Sequence, residues 1–343
     1  MRIPVSELSL MTEAAFRGLG LTNDDAALVA QVLITADLFG LHTHGVSRIE
    51  SYGERLAIGG IAPRPDLHVD TLAPVIARVD GGNGVGPLVG MRSLQTAMDI
   101  ASRYGAAVVF ARRSNHFGPI APYAWFAAQK GFASIIGSNA TTTIAPWGGS
   151  DARLGNSPIG FAVPRPGGDP FMLDMALSVV ARAKIREALK RGESIPETWA
   201  TDDQGRPTTD PAAALKGFLQ AIGGHKGYGL ALWVDLFAGL LSNAAYLTHV
   251  KSWVDAPADP QDLGHFFILI DTRVLGSSDW LAGRMADFAS ILHASPPIDP
   301  KRPVIVPGEI EFAAMRRRQS EGIDVDDTTL ACLRRYAQPE PGA

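Results

Sequence analysis

The stretch Gly81-Gly82-Asn83-Gly84-Val85-Gly86-Pro87-Leu88-Val89 decides which fold to expect. Its glycines invite comparison with the G-x-G-x-x-G turn that seats a pyrophosphate in Rossmann-type proteins. The match fails at the third position. After Gly84-x-Gly86 comes Val89, where a small residue is needed for helix and strand to pack closely. No long β-branched run precedes the cluster either, so it reads as a turn and not as a Rossmann site. No G-x-x-x-x-G-K-[ST] phosphate loop occurs elsewhere.

Upstream of this turn the pattern is helical. Asn23 is placed to cap a helix that carries Leu28, Val32, Leu33 and Ala36 at helical spacing and stops at Gly40. Ser47-x-x-Glu50 fits a capping box opening a second helix over 48–57. Pro63 and Pro65 then mark a boundary. Downstream, helices are expected at 88–103, 119–130, 178–192, 226–242 and 280–292. Strands are expected at 106–111, 132–137, 159–163, 171–174, 266–271 and 304–306. Residues 197–211 read as an exposed loop, and 309–336 returns to helix. The order predicts a mixed α+β fold of the broad α/β class. Residues 1–70 with 300–343 would form a helical layer drawn from both termini, beside a mixed α/β domain over 71–299.

Composition narrows the function. Of 343 residues, 31 are basic and 35 acidic, a net charge of −4, and the basic residues are scattered. No nucleic-acid footprint is present. No segment reaches the ~20 apolar residues of a membrane span. Glu7 and Glu13 fall where a signal peptide needs an apolar core. The single cysteine, Cys332, excludes an intrachain disulfide framework and suits a reducing compartment. The expectation is a cytoplasmic protein with neither a membrane nor a nucleic-acid partner. Metal sites find no support: His42-x-His44 splits across a helix, and neither H-E-x-x-H nor a cysteine cluster occurs. Gly155-Asn156-Ser157-Pro158-Ile159 is not a G-x-S-x-G nucleophile elbow.

Three histidine-bearing segments remain. In Thr43-His44-Gly45-Val46-Ser47-Arg48, the imidazole and guanidinium are four apart and would share a helical face. Arg offers a planar fork for a carboxylate and His a proton near neutral pH, which suits an acid with an adjacent carbonyl. The plainer alternative is a solvated pair at a helix start. Ser114-Asn115-His116-Phe117-Gly118 leaves the end of an expected strand, where α/β proteins place ligands. Gly223-Gly224-His225-Lys226-Gly227-Tyr228-Gly229 opens a long helix. Its free N–H groups beside Lys226 would suit a phosphate-bearing cofactor, the alternative being a tight packing loop.

Taken together, these segments resemble the NAD(P)-dependent malate/L-lactate dehydrogenase family, which includes ureidoglycolate, sulfolactate and diketogulonate oxidoreductases and cyclic ketimine reductases. The matching stretches are ADLFGLHTHGVSRIESY from Ala36, SNHFGPIAPYA from Ser114, SNATTTIAPWGG from Ser138, LGNSPIGFAVP from Leu154, MLDMALSVVARAKI from Met172, GGHKGYGLALWVDLFAGLLS from Gly223, GHFFILID from Gly264 and VPGEIE from Val306. They run in family order over most of the chain. The resemblance implies a non-Rossmann NAD(P)-binding fold and a homodimer with the active site near its interface. It implies His44 and His116 as acid/base candidates and Arg48 as the clamp on a substrate carboxylate. The cofactor would lie against His116, Phe117, Gly118, Pro119 and Ile120, against Asp174, Met175 and Ala176, against His225 and Lys226, and against Pro307, Gly308 and Glu309. Asn139 and Ala140 would sit near the nicotinamide.

Departures from the family bear on the substrate. Thr43 replaces a common Ser and keeps its hydroxyl; Asn156 and Ser157 replace Thr and Asn of LGTNP at positions that can face the substrate. Leu177 and Ala183 replace a frequent Thr and Gly. Lys184 stands where ketimine-reducing members carry Asp, which leans toward 2-oxo acids. The expected reaction is hydride transfer between a nicotinamide, NADP(H) in preference to NAD(H), and C2 of a small 2-oxo or 2-hydroxy acid. The alternatives are reduction of a cyclic imino acid, such as pyrroline- or piperideine-2-carboxylate, and a catalytically inactive nucleotide-binding relative.

Overall fold

The computed structural model describes residues 1–338, so positions 339–343 of the expected C-terminal helical segment lie outside the described residues. Seven strands form the central sheet: β1 (His68–Ala73), β2 (Ile76–Asp80), β3 (Ala106–Ser114), β4 (Phe132–Ser138), β5 (Ile159–Val163), β6 (Phe171–Met175) and β7 (Leu263–Asp271). Their spatial order is β1-β2-β3-β7-β4-β5-β6. β2 and β3 pair parallel, and every other neighbouring pair is antiparallel. β7 therefore lies between β3 and β4, which run parallel to each other. As a consequence, Asp80, Ser114, Ser138 and Met175 all leave the sheet at one edge, where Ile159 and Leu263 enter it.

Two apolar cores flank the sheet. One joins the N-terminal helices Val5–Gly18 and Asn23–Phe39, the helices Gly86–Tyr104 and Ala121–Gln129, and C-terminal Phe312, Leu330 and Leu333 to sheet residues such as Val79, Val109 and Phe267. The other gathers Ile159, Leu177, Ile185, Leu219, Ala231, Val234 and Phe266. A short pairing of Arg2–Ile3 with Ile323–Asp324, and an N-terminal amine donating to Val325 O at 2.7 Å, tie the two chain ends into one helical layer. No described helix is long and apolar enough to cross a membrane.

Several expectations need correction. Thr22, not Asn23, caps the second helix, its Oγ1 accepting from Asp25 N at 3.2 Å. Ser47 forms no capping box; its hydroxyl donates to His42 O at 2.6 Å, and the helix begins one residue after Arg48, at Ile49. Residues 304–306 form no strand. The segment 309–336 is two helices, Glu309–Glu321 and Asp327–Ala337, interrupted by the short strand Ile323–Asp324. The helix expected over 226–242 is α-helical from His225 to Asp235 and then widens into a π-turn over Leu236–Leu241.

The largest correction concerns the glycine cluster. A strand does precede it: β2 leads through the turn into the helix Gly86–Tyr104 and on to the parallel strand β3, a complete βαβ unit. The turn nonetheless faces inward. A Cβ on Gly86 would collide with the backbone carbonyls of Asn115 and His116. The Asn115 amide donates to Asn83 Oδ1 and Gly84 O, each at 2.9 Å. The glycines here let backbone approach backbone, so the turn buttresses the loop that follows β3.

Candidate active site

A buried carboxylate shapes the first part of the site. Asp37, near the end of its helix, is 2% exposed. Its Oδ1 accepts from His42 Nδ1 at 3.0 Å and its Oδ2 from Val46 N at 2.7 Å. Arg318 Nη2 donates to His42 Nε2 at 3.0 Å, which fixes the proton of His42 on Nδ1, facing Asp37. Gly45 lies so close that a Cβ there would strike the Asp37 carboxylate. The two bonds clasp the chain on either side of His44. The result is two consecutive 3₁₀ turns, His42–His44 and Val46–Arg48, and not one helix. Burial pushes the Asp37 pKa up, while the bonds from His42 and Val46 act against that rise.

This turn presents three of the predicted residues together. Arg48 Nε donates to Thr43 O at 2.7 Å, and the guanidinium forms no ion pair among the described residues. Thr43 Oγ1 meets His44 Nδ1 at 2.9 Å. The His44 ring stacks on His116, with centroids 5.5 Å apart and planes inclined by 26°. Two segments 72 residues apart in sequence are thus one constellation. Both imidazoles are held neutral. Desolvation, followed by the positive field of Arg48, lowers His44 to about 4, and the same two causes, with smaller contributions from His44 and His265, lower His116 well below its ordinary value.

Tyr52, which sequence reading missed, orients His116. Its hydroxyl lies 2.8 Å from His116 Nδ1 and 3.0 Å from His116 O. A carbonyl only accepts, so the phenolic hydrogen goes to His116 O and the phenolic oxygen accepts from Nδ1–H. The Nε2 of neutral His116 then carries the lone pair. Gln261 Oε1 accepts from His116 N at 3.1 Å, and Trp253 packs against the ring at 5.8 Å. Tyr52 and Asp37 sit inside the quoted stretch ADLFGLHTHGVSRIESY. The only local hint was a polar residue at an otherwise apolar position.

Most of the segments expected to hold a cofactor line the same sheet edge, and the Pro307-Gly308-Glu309 turn lies along β6 nearer its other end. Asp174 Oδ2 accepts from Ile120 N at 2.8 Å and Ala121 N at 2.9 Å, joining the end of β6 to the 116–120 loop and the helix after it. Desolvation raises the Asp174 pKa to about 6 despite those two bonds. Asn139 follows β4, with Nδ2 donating to Ala245 O at 2.6 Å and Oδ1 accepting from Gly264 N at 3.0 Å. Ala140 packs on Gly155, and Leu177 N donates to Asn156 O at 2.8 Å, which joins the 155–156 segment to the chain leaving β6. His225 and Lys226 are exposed at the start of their helix, where Gly224 supplies no side-chain cap. Ile222 N donates to Leu177 O at 3.0 Å, tying this turn to the chain leaving β6. Pro307 O accepts from Met172 N at 3.1 Å, which seats the Pro307-Gly308-Glu309 turn beside β6 two residues from Asp174. The Glu309 carboxylate is engaged by Val306 N at 2.9 Å and His293 Nε2 at 2.9 Å.

The sequence profile of the malate/L-lactate dehydrogenase family matches residues 3–334. The chain belongs to the malate/L-lactate dehydrogenase family. It is 34% identical to the malate dehydrogenase of Pyrococcus abyssi over 98% of this chain and 94% of that one. Among solved structures, the sulfolactate dehydrogenase of Methanocaldococcus jannaschii superposes with a TM-score of 0.91 at 32% identity, covering 98% and 96% of the two chains. The Δ1-piperideine-2-carboxylate reductase of Pseudomonas syringae superposes with a TM-score of 0.87 at 26% identity, covering 98% and 99%. Other relatives carry NAD(+) or NADP(+) in their names. As a member of this family the chain is an NAD(P)-dependent oxidoreductase, and its fold is the family's mixed α/β fold. The residues present fit such a cofactor. The uncapped helix start at Gly224, with exposed His225 and Lys226, offers N–H groups and positive charge of the kind a pyrophosphate needs.

The depressed His44 value has a stability consequence. An unfolded histidine gains its proton below about 6.5, whereas folded His44 stays neutral to about 4. The unfolded state binds more protons in that window, so stability falls as pH drops through it. Between pH 7 and pH 5 the wild type should lose about 1–2 kcal/mol more than His44→Gln, as read from urea unfolding at both pH values. Parallel losses in the two proteins would contradict a neutral His44.

Proposed function

We propose that this dehydrogenase transfers hydride between a nicotinamide and C2 of a small 2-oxo or 2-hydroxy carboxylic acid. One observation carries the reading: the guanidinium of Arg48, without a carboxylate partner among the described residues, stands beside two stacked neutral imidazoles. A partly buried positive charge flanked by proton carriers suits an anion whose neighbouring atom gains or loses a proton.

The nicotinamide, when bound, supplies or accepts the hydride. The chain's own residues do the rest. Arg48 grips the carboxylate and so fixes the adjacent carbon, chiefly an orientation effect. The bound carboxylate also offsets the field of Arg48, which after desolvation is the second cause of the low proton affinity of His44 and His116, and so raises that affinity when the substrate arrives. In oxidation, His116 Nε2 takes the hydroxyl proton while Tyr52 holds the ring; in reduction the proton returns. Thr43 donates to His44 Nδ1, leaving His44 Nε2–H as the donor that polarises the substrate oxygen. Asn156 would meet the substrate's variable end.

The cofactor contacts fall to the 116–120 loop, Asn139, Ala140, Asp174, Met175, Ala176, His225, Lys226, and the Pro307-Gly308-Glu309 turn. NADP(H) is the preferred dinucleotide, a second phosphate finding His225 and Lys226 nearby. A second copy of this chain is the proposed partner. The helix Ser278–His293 has no buried residue and exposes Trp280, Phe288 and Ile291, an apolar face suited to an isologous contact. The single cysteine, buried and unpaired, fits the cytoplasm.

A second reading has its own support, the TM-score of 0.87 to a piperideine-carboxylate reductase. There the same clamp would present a C=N carbon. NADPH oxidation assayed with pyruvate, oxaloacetate and piperideine-2-carboxylate side by side should show turnover on a 2-oxo acid. Turnover on the imine alone would select the second reading, and binding of NADPH without any turnover would mark an inactive relative. Arg48→Lys should weaken substrate binding by about 1.5–3 kcal/mol, seen as a raised KM; an unchanged KM removes the clamp. His116→Ala should cut kcat for oxidation by about 10²–10⁴-fold with NADPH binding retained by fluorescence titration. A larger loss in His44→Ala would exchange the two roles.

A further inference from the structure

We propose that His265 is a positioning residue for this site: one fully buried imidazole, hydrogen-bonded at both ring nitrogens, sets the spacing between the strand end that carries His116 and the strand end that carries Asn139. The inference rests on the function proposed above.

His265 lies on β7, the strand wedged between β3 and β4. It is 0% exposed. Its Nε2 meets Ser114 Oγ at 2.7 Å and its Nδ1 meets Ser138 Oγ at 2.9 Å. Ser114 is the last residue of β3, two before His116, and Ser138 is the last residue of β4, one before Asn139.

The hydrogens can be assigned along this bridge. Ser138 Oγ lies 2.8 Å from Asn139 O, a pure acceptor, so its hydrogen goes there and its oxygen accepts from His265 Nδ1–H. His265 Nε2 is then the acceptor for Ser114 O–H. Each hydroxyl and ring nitrogen has a complementary partner, and the imidazole has no vacancy for a second proton. Burial lowers its pKa to about 3, in keeping with a permanently neutral crosspiece and not an acid/base group.

Two further features aim the ring. The β7–β3 register shifts between Leu263 and His265, a bulge that re-aims the side chain there. The ring also stacks on Phe117, with centroids 4.1 Å apart and planes at 10°, and Phe117 stacks in turn on Tyr123 at 4.9 Å. His265 therefore touches the residue on each side of the His116 loop entrance, Ser114 and Phe117, but not His116 itself. Asn139 is gripped from the same strand through Gly264 N. A lysine, arginine or carboxylate would bring charge into this buried place, and an apolar residue would leave two serine hydroxyls without the bridge.

The test compares His265→Phe, which keeps the stack on Phe117 and loses both bonds, with His265→Gln, whose amide reaches about as far as Nε2 and restores the bond to Ser114. A misplacement of this kind should cut kcat by about 10–100-fold in His265→Phe, more than it weakens NADPH binding by fluorescence titration, with much of the kcat loss recovered in His265→Gln. The ring ¹⁵N signals of His116 in histidine-labelled protein should move in His265→Phe and return toward wild type in His265→Gln. Should His265→Phe fail to fold, Ser114→Ala, which deletes one hydroxyl, should move the His116 ring signals in the same direction. Wild-type kcat in His265→Phe would overturn the proposal. So would equal losses in both variants accompanied only by lower unfolding midpoints, or His116 signals indifferent to every variant. A wild-type enzyme inactive on 2-oxo acids and imines would defeat the function proposed above, yet the ring signals would still decide whether His265 positions His116.

Discussion

One strand, β7, runs against its two neighbours, and that reversal organises the whole site edge. β3 and β4 are parallel strands that never touch, because β7 fills the space between them with antiparallel ladders on both sides. Antiparallel pairing lets a strand exchange bonds perpendicular to its axis with two parallel flanks at once. It also delivers the ends of β3 and β4 to the same edge, one strand's width apart on either side of β7. His116 and Asn139 follow those ends. Residues more than twenty positions apart in sequence are thereby held by the most rigid part of the molecule, which is where precise placement is obtainable.

The remaining half of the constellation comes from outside the sheet, and its electrostatics work against stability. Asp37 is a buried carboxylate, Arg48 a guanidinium without an ion-pair partner among the described residues, and His44 an imidazole kept, like the sheet-borne His116 it stacks on, from its proton. A protein built for stability alone would place apolar groups in such positions. In the reading proposed above, the arrangement is prepared for an anion: burial first and Arg48 second disfavour protonated histidines, and an opposite charge offsets the second of these. Ser157 adds a smaller strain of the same kind. Its φ of 27° lies in the left-handed region, where Asn is more at ease than Ser, and family resemblance puts Asn at that position. The exchange sits beside Asn156, the residue proposed above to meet the substrate.

Local signals in the sequence were legible where one face of an element is buried. The run 159–163 is a strand with the expected bounds, and Gly40 ends its helix in the left-handed conformation at φ 90°. The β1–β2 hairpin was not legible, because β1 is an exposed edge strand whose residues His68, Asp70 and Thr71 carry no apolar alternation. Ser47 misled for a different reason. A capping box assumes the hydroxyl faces its own helix, whereas Asp37 turns the backbone so that Ser47 meets His42 O. The candidate residues were legible as a set through family resemblance. Their mutual geometry was not, since the decisive bonds join Tyr52 to His116 and His265 to Ser114 and Ser138 across 64 to 151 residues of sequence.

The glycine cluster shows how a correct exclusion can rest on an incomplete premise. β2, the turn and the helix Gly86–Tyr104 do form a strand–turn–helix, so the local architecture of a dinucleotide fingerprint is present. What differs is the object that approaches the glycines. In a Rossmann unit the absent side chains admit a pyrophosphate; here Gly86 admits the Asn115 and His116 carbonyls, and Val89 packs against Gly81. Backbone fills the space that phosphate would need, and the Asn115 amide closes it with bonds to Asn83 and Gly84. The cofactor must then find its anion contacts elsewhere on the edge. In the reading proposed above, that role falls to the uncapped helix start at Gly224, on the far side of β7 from this turn, with its N–H groups and Lys226.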